Sequence, residues 1–502
     1  MTTYVGFDLT RVRGLAKDLR KVAGASSTLH SDVKKVLDDA ASHLNGKPVT
    51  NSDQLAAVQL GSIGLFGGIT FAPPGNLAGP LDDMAGSIDR RANHLEKCKE
   101  LQDNCKGTVD PSLVFVDEPP PDPEKVNEAL EALRDMQDKD TGMNGNRDDL
   151  QSVADKLKGL TSAELDMFLN AAKPEELESL RKQMETTGSA GFLWMGDNGL
   201  PVGERIEFAS ALLAKASPEN QEKLLAAFPW LQPGFESTDV YLDKFNDQTG
   251  KATNGMHYGL PSDPLFTNKP LGEDVYQGQL GDCWYIASLT ATAQRDPDFI
   301  REGIKENPNG TISVRVWDAD GNQRWVTMNR ELPLDENGDP VGAHGDGSTW
   351  AAYYEKAFAI AYEGDEGGAP DGKEGNDAYD RSEQGTYGAT EWDYTDQAPP
   401  YVTGQDSEGI GTNYDDVKEA YDSGHPVIVA SNSDKDGVPD NWSQEQKDAY
   451  VTRHVYFVKE FTPDGKIVLG NPWGPDSPTV TVTQDEFEDM FDDAQSLQIK
   501  GK

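Results

Sequence analysis

The segment QGQLGDCWYIASL, from Gln277 to Leu289, decides how the rest of the chain is interpreted. A glycine-containing turn leads into an apolar run with Cys283 at the junction, which predicts a helix whose first residues include the cysteine. The positive end of a helix dipole stabilises a thiolate, so we expect the pKa of Cys283 to be lowered. A single cysteine of this kind is more often a packing residue, so catalysis also requires a base and a group that orients it.

Two later residues supply those groups. His454 opens the alternating run HVYFVKEF, and Asn471 ends the next run, KIVLGN. Runs joined by a turn such as TPDGK predict adjacent antiparallel strands, which would bring His454 and Asn471 to the same edge of a sheet. An asparagine oxygen at that edge can accept the imidazole N–H and fix the tautomer that faces the thiol.

The C-terminal half of the chain carries both strand and helix patterns. The runs TISVRVWD, QRWVTMN, HPVIVAS, HVYFVKEF, KIVLGN and TVTVT have the composition of β-strands. The apolar run TWAAYYEKAFAIAYEG lies between them and has the length of a helix. Residues 271–502 are therefore expected to form an α+β domain.

Several of these segments resemble the calpain family of cysteine proteases. QGQLGDCW, RHVYFV and GNPWG are similar, in the same order, to the active-site blocks of that family, and WVTMNRELPLD and TWAAYYEKAFAIAYEG are similar to further segments of it. The resemblance implies a papain-like catalytic domain of two lobes, a mainly helical lobe at about residues 271–385 and a β-rich lobe at about 386–502.

The resemblance also assigns roles by position. Cys283 matches the nucleophile, His454 the general base and Asn471 the orienting residue. Gln277 matches the side-chain donor of the oxyanion hole, beside the backbone N–H of Cys283, and Trp473 matches a tryptophan that shields the His–Asn pair. The implied reaction is attack of the thiolate on a peptide carbonyl, giving an acyl-enzyme that water hydrolyses.

Calcium is the one cofactor that the sequence suggests, and the implied chemistry does not require it. In many calpains calcium binding brings the two lobes together, and the resemblance places Asp274 at a ligand position. Separately, DKDGVPDNW resembles the calcium loops of thrombospondin type 3 repeats, so Asp434, Asp436 and Asp440 are candidate ligands. The alternative is an acidic turn.

The N-terminal region has a different pattern. Apolar residues recur at steps of three and four through residues 9–44 and 77–101, which predicts two long amphipathic helices and a helical hairpin over 1–110. The layout resembles the Trp-x-Gly helical hairpins that type VII secretion exports from Gram-positive bacteria, with LFG at Leu65–Gly67 in the place of Trp-x-Gly. A plain oligomerisation module explains the same pattern.

The segments between these regions predict the domain boundaries. The proline-rich, acidic stretch at 111–123 is a stiff linker. Residues 124–232 are expected to form a helical domain, in which TSAE has the spacing of a capping box. Residues 233–270 are polar and irregular, and we interpret them as a second linker. All-α hairpin and middle domains thus precede the catalytic domain.

The composition limits the partners. The net charge is −42, with 87 acidic against 45 basic residues, so nucleic acid is a poor partner. No membrane-spanning run and no Sec-type signal are visible. We expect a bacterial protein, secreted or displayed by a non-Sec route, with a cytoplasmic location as the alternative. Cys98 and Cys105 are too far apart along a helix to bridge and are interpreted as helix-core residues.

The sequence thus predicts a calpain-like cysteine endopeptidase acting on a protein or peptide, as a secreted effector or a self-processing protease. The extended segments Gln232–Leu271 and Val116–Glu124 are the expected self-cleavage regions. Further expected partners are the type VII machinery and a second helical hairpin. The alternatives are a transglutaminase-like acyl transferase, which Asn471 argues against, and an interaction protein with a vestigial triad.

Overall fold

The computed structural model describes most of the chain from residue 121 onward and short parts before it. The described residues are 10, 13–25, 81, 85–86, 88–90, 92–93, 121–137, 145–186, 188–190, 196–235, 238, 245–246, 251–252, 256–268, 271–318, 321–362, 385–435 and 437–501. They fall into two compact units, one within residues 1–119 and one from residue 120 onward.

The described part of the N-terminal unit is helical at residues 13–25 and at positions between 81 and 93. Arg13 Nη2 donates to Asn93 Oδ1 at 3.0 Å, and Arg20 forms an ion pair with Asp89. From Arg13 to Arg20 the first segment runs forward, whereas their partners run backward from Asn93 to Asp89, so the two segments are antiparallel. The segment Leu65–Gly67, Cys98 and Cys105 lie outside the described residues, and the hairpin domain stays a prediction.

The second unit begins with a group of helices around their own hydrophobic core. They are α1 (Pro123–Gln137), α2 (Arg147–Lys158), α3 (Ser162–Ala171), α4 (Pro174–Glu185), α5 (Val202–Leu213) and α6 (Pro218–Ala227), with a short hairpin of β1 (Gly188–Ala190) and β2 (Gly196–Asn198). The segment TSAE forms the predicted capping box, in which Thr161 accepts from the Glu164 N–H and the Glu164 carboxylate accepts from the Thr161 N–H.

The next part of the unit combines a buried helix with small sheets. Its elements are β3 (Phe245–Asn246), β4 (Lys251–Ala252), β5 (His257–Gly259), β6 (Val275–Tyr276), α7 (Cys283–Arg295), α8 (Pro297–Glu302), β7 (Ile304–Glu306), β8 (Ile312–Trp317), β9 (Gln323–Met328), β10 (Leu332–Leu334), β11 (His344–Gly345), α9 (Trp350–Ala361) and α10 (Ala398–Thr403). Every residue of α7 from Cys283 to Ala293 is buried. Helices α9 and α10 and the strand Val455–Phe461 pack around it.

The last part of the unit is a six-stranded antiparallel sheet with three helices. The strands are β12 (Glu408–Gly409), β13 (Val427–Ser431), β14 (Val455–Phe461), β15 (Ile467–Gly470), β16 (Val480–Val482) and β17 (Phe491–Ser496), and the helices are α11 (Tyr414–Asp422), α12 (Gln444–Ala449) and α13 (Gln484–Met490). The strand order in the sheet is β12-β17-β13-β14-β15-β16. The fold is thus mixed helix and sheet. Strand β17 was not predicted, because its sequence FDDAQS lacks the alternation of a strand.

Part of the segment 233–270, which was predicted to be a linker, pairs with later segments of the second unit. Gly234 N donates to the Gly385 carbonyl, and Tyr387 N donates to the Gly234 carbonyl, which makes a short parallel bridge. Strand β5 pairs with β10 in the same region. Helix α10 packs against α7 and β8, so the part of the fold around α7 continues past residue 385 to Thr403.

The helices of the described residues include none that is both long enough and apolar enough to cross a membrane.

Candidate active site

Cys283 is the first residue of α7, and the turn before it is held in place by its backbone. Gln279 N donates to the Val341 carbonyl at 2.8 Å. Gly278 has a φ of +80°, and a Cβ there would lie 2.3 Å from the Gly342 carbonyl oxygen, so only glycine fits. The first N–H groups of a helix have no partner within the helix. The backbone N–H groups of Cys283 and Trp284 lie beside the Cys283 thiol, where an oxyanion would form.

Burial favours the protonated form of the Cys283 thiol in this arrangement, which corrects the expectation of a lowered pKa. Burial is the main cause and raises the pKa of Cys283 to about 12, while a hydrogen bond with the Val455 backbone opposes the rise. The helix dipole is worth too little to offset the loss of water around a charged sulfur.

His454 and Asn471 lie together at the edge of the large sheet. His454 immediately precedes β14 and Asn471 immediately follows β15, and these strands pair antiparallel with Phe457 opposite Gly470. His454 Nε2 is 2.9 Å from Asn471 Oδ1. The predicted geometry is therefore present, because the hairpin returns the chain to the edge from which it started.

The surroundings of Asn471 decide the tautomer of the histidine. Asn471 Oδ1 also accepts the backbone N–H of Trp473 at 3.0 Å, so this amide atom is the oxygen. An oxygen that already accepts one N–H takes a second from His454, so Nε2 carries the hydrogen. Nδ1 then has a free lone pair and is the nitrogen that can act as a base.

Packing keeps the histidine neutral. His454 is 5% exposed, and its ring lies 4.9 Å from the Tyr456 ring and 5.0 Å from the Trp473 ring. Burial lowers the pKa of His454 to about 4, although the bond to Asn471 raises it. Trp473 is 46% exposed, so it covers one side of the imidazole and leaves its own outer face to solvent.

Gln277 joins the two parts of the site. Its backbone N–H donates to the Pro472 carbonyl at 2.9 Å, and its Nε2 donates to the Leu280 carbonyl at 2.6 Å. An amide nitrogen has two hydrogens, so one remains for another acceptor. Beside it, the Tyr276 hydroxyl donates to Asp476 Oδ2 at 2.8 Å.

Some residues at the site were missed from the sequence. Thr390, Glu391 and Trp392 all bond to the turn that carries Cys283. No pattern in that segment indicates such contacts, because they come from a loop distant in sequence. Glu355 is different, since a Glu–Lys pair inside the apolar run TWAAYYEKAFAIAYEG is itself a signal of buried charge.

The candidate calcium ligands are only partly described by the structure. Asp274 is buried, and its Oδ2 accepts the Ser348 hydroxyl at 3.0 Å. Asp434 and Asp440 are exposed, and Asp436 lies outside the described residues. Among the described residues, no group of three or more His, Cys, Asp or Glu side chains could hold a metal ion. The calcium loop at Asp434, Asp436 and Asp440 stays a prediction.

The comparisons with known proteins find a similarity that is confined to the C-terminal part. Residues 259–477 match the sequence model of the calpain family cysteine protease. Calpain-B of Drosophila melanogaster is 26% identical over 222 residues, which is 41% of this chain and 22% of that protein. The calpain-2 catalytic subunit of Bos taurus is 29% identical over 182 residues, 33% of this chain and 23% of that protein. The chain thus spans less than a quarter of the length of these relatives.

Proposed function

We propose that this chain, which carries a calpain family cysteine protease domain over residues 259–477, is a cysteine-type endopeptidase that uses Cys283, His454 and Asn471. The observation that carries the proposal is the bond from His454 Nε2 to Asn471 Oδ1. It leaves the lone pair of Nδ1 available, and the backbone of the next residue, Val455, contacts the thiol.

The reaction starts from a neutral pair. As a peptide carbonyl approaches, the Cys283 thiol gives its proton to His454 Nδ1 while sulfur forms a bond to the carbonyl carbon. The carbonyl oxygen becomes negative and is stabilised by the Cys283 N–H and the remaining Nε2 hydrogen of Gln277. When the C–N bond breaks, the amine leaves with the proton from the imidazolium. Water then hydrolyses the thioester, with His454 as its base.

Asn471 keeps the imidazole in the reactive orientation and tautomer through both steps. Its oxygen accepts the Nε2 hydrogen, so the ring does not turn and present a hydrogen to the thiol. The amide carries no charge, so the imidazolium is stabilised by a hydrogen bond and not by an ion pair. This arrangement supports a thiol protease, and no contact of the described residues favours amine transfer or a vestigial site.

The finer features of the proposal concern architecture and biology. We assign a papain-like arrangement of two lobes, with Cys283 and His454 contributed by different lobes. The bacterial origin, the non-Sec export and the self-cleavage in Gln232–Leu271 or Val116–Glu124 extend the proposal from sequence patterns alone. Calcium is included as a variable of the assay, and no step of the reaction uses it.

The test is proteolysis by the full chain. Wild type and Cys283→Ala are incubated with an unfolded protein substrate, with calcium or with a chelator, and new N-termini are mapped by mass spectrometry. We expect cleavage by wild type alone. Equal products from both proteins would contradict the proposal, and incorporation of a primary amine without hydrolysis would assign the site to acyl transfer. The same samples report self-cleavage through the intact mass of the chain.

A further inference from the structure

Three carboxyl side chains are buried directly behind the nucleophile. Asp282 precedes Cys283, Glu355 lies in α9 and Glu391 follows a turn near residue 390, and none of the three is more than 1% exposed. Buried carboxyl groups are rare unless they are paired. The neighbouring Lys356 does not pair with them, because its amine donates to Asn329 Oδ1 at 2.6 Å and to the Glu331 carbonyl at 2.7 Å.

Two of the three groups bond to the backbone. Glu391 Oε1 accepts the Gly281 N–H at 2.9 Å, and Glu355 Oε1 accepts the Ala343 N–H at 2.7 Å. The side chain of Asp282 lies beside that of Glu355, and neither of its oxygens accepts a hydrogen bond from a described residue. Burial and the charge of Glu355 raise the pKa of Asp282, and burial raises the pKa of Glu355 to about 8.

The backbone on both sides of Glu391 also forms hydrogen bonds with the segment around Cys283. Trp284 Nε1 donates to the Thr390 carbonyl at 3.0 Å, and Trp392 N donates to the Gly281 carbonyl at 3.0 Å. Trp392 has a φ of +63°, which is costly for a residue other than glycine and persists only where the surroundings impose it. Three consecutive residues therefore bond to the turn on both sides of Cys283.

We infer that Glu391 is a positioning residue for the nucleophile, because its carboxylate holds the Gly281 N–H in the turn that leads to Cys283. The inference rests on the proposed function. A charged Asp282 raises the pKa of the Cys283 thiol, and burial together with the charges of Glu355 and Glu391 favours the neutral form of Asp282.

The other titratable groups around the cluster support this distribution of charge. Tyr285 from α7 and Tyr387 from the segment before Thr390 both face Asp282 and Glu355, and burial raises the pKa of each. Among the described residues, the thiol of Cys283 is a further titratable group near Asp282. The raised pKa values keep these three groups neutral at ordinary pH, so they add no charge to the cluster.

The test compares Glu391→Gln with Glu391→Ala in the full chain, with the exposed Glu336→Gln as the control. The amide of Gln keeps an oxygen for the Gly281 N–H but carries no charge, whereas Ala removes both. We expect Glu391→Ala to lower kcat by about 10- to 100-fold with little change in KM, because the nucleophile is displaced. Glu391→Gln should restore most of kcat at acidic pH.

The pH profile separates a positioning role from a merely structural one. The charge of Glu391 raises the pKa of Asp282 and that of Glu355, so both groups lose their protons at lower pH without it. The alkaline limb of kcat/KM should therefore move down by about one pH unit or more in Glu391→Gln. An unmoved limb, or equal loss of kcat in both variants, would overturn the inference. Melting curves identify a variant that fails to fold, and Glu391→Gln, which keeps the hydrogen bond, then decides the question.

Alkylation of Cys283 by iodoacetamide gives the same pH profile without any substrate. Wild type that cleaves no peptide would count against the proposed function only. The shift of the alkylation profile in Glu391→Gln would still confirm or overturn the role of Glu391.

Discussion

The backbone N–H of Gln277 donates to the carbonyl oxygen of Pro472 at 2.9 Å, and this bond ties the turn of the nucleophile to the loop of the orienting asparagine. Cys283 and Val455 also share one hydrophobic core. The two parts of the site are thus joined by direct protein contacts.

Calcium removal is the first prediction from this contact. We expect the rate of peptide cleavage to be the same in a chelator and in millimolar calcium, because the bond from Gln277 to Pro472 already joins the two parts of the site. The measurement is kcat/KM after exhaustive dialysis against chelator. Activity that returns only with added calcium would contradict it.

The second prediction concerns Asn471. Asn471→Ala leaves His454 without its acceptor, so the ring loses its preferred tautomer, and we expect kcat to fall by about 10²- to 10⁴-fold with KM little changed. Steady-state kinetics with one peptide measure this. Asn337→Ala, in an exposed loop, is the control and should keep the wild-type rate. A kcat near wild type for Asn471→Ala would refute the orienting role.

The third prediction uses two glutamines of the same turn. Gln277→Ala removes a donor to the developing oxyanion, and we expect kcat to fall by about 10²- to 10³-fold. Gln279→Ala is the matched control, because that side chain is exposed and its backbone bond to Val341 is retained. Equal kinetics for the two variants would remove Gln277 from the oxyanion hole.

The fourth prediction is a dependence of stability on pH. The folded pKa of Glu355 is about 8 and the usual value is 4.5, so the folded state binds the extra proton between these values. The stabilisation is complete below pH 4.5 and is lost as the pH rises toward 8, by up to about 1.4 kcal/mol per pH unit. Glu355→Gln should therefore show a smaller loss of unfolding free energy over this range.

Urea unfolding at several pH values measures that slope. The difference between variants isolates Glu355 from His454, whose lowered pKa acts in the opposite sense: its stabilisation is lost as the pH falls below 6.5 toward 4. Glu302→Gln on an exposed position is the control and should keep the wild-type slope. Parallel curves for Glu355→Gln and wild type would exclude a raised pKa at Glu355.

The fifth prediction tests the contact between the helical domain and the site. Gly385 and Gly424 both have positive φ, but a Cβ at Gly385 would lie 2.4 Å from the Trp230 side chain, whereas Gly424 has open space. Both alanine variants should lose about 1–2 kcal/mol of stability from backbone strain. Only Gly385→Ala should also lose kcat, because it displaces the segment that leads to Glu391. Equal kcat in both variants would show that the contact with the helical domain has no effect on catalysis.

The sequence was most informative where the chemistry lies close along the chain. The hairpin of β14 and β15 could be predicted from alternation and a turn signal, and it places His454 beside Asn471. Strand β17 could not, because two acidic residues interrupt its pattern and its place in the sheet depends on its neighbours.

The pKa of Cys283 shows why other properties of the site could not be predicted from the sequence. The helix N-terminus is visible in the sequence and favours a thiolate, but the burial that outweighs it depends on helices and strands from elsewhere in the chain. Glu391 is similar, since its role follows from a contact with Gly281 that no local pattern indicates.

The protonated thiol of Cys283 has a consequence for the chemical lifetime of the protein. Peroxides oxidise thiolates far faster than thiols, and oxidation beyond the sulfenic acid is not reversed by ordinary thiols. A nucleophile that keeps its proton until a peptide carbonyl arrives is exposed to this damage only during turnover. Resting molecules should therefore survive in oxidising surroundings that would inactivate a protease with a permanent thiolate.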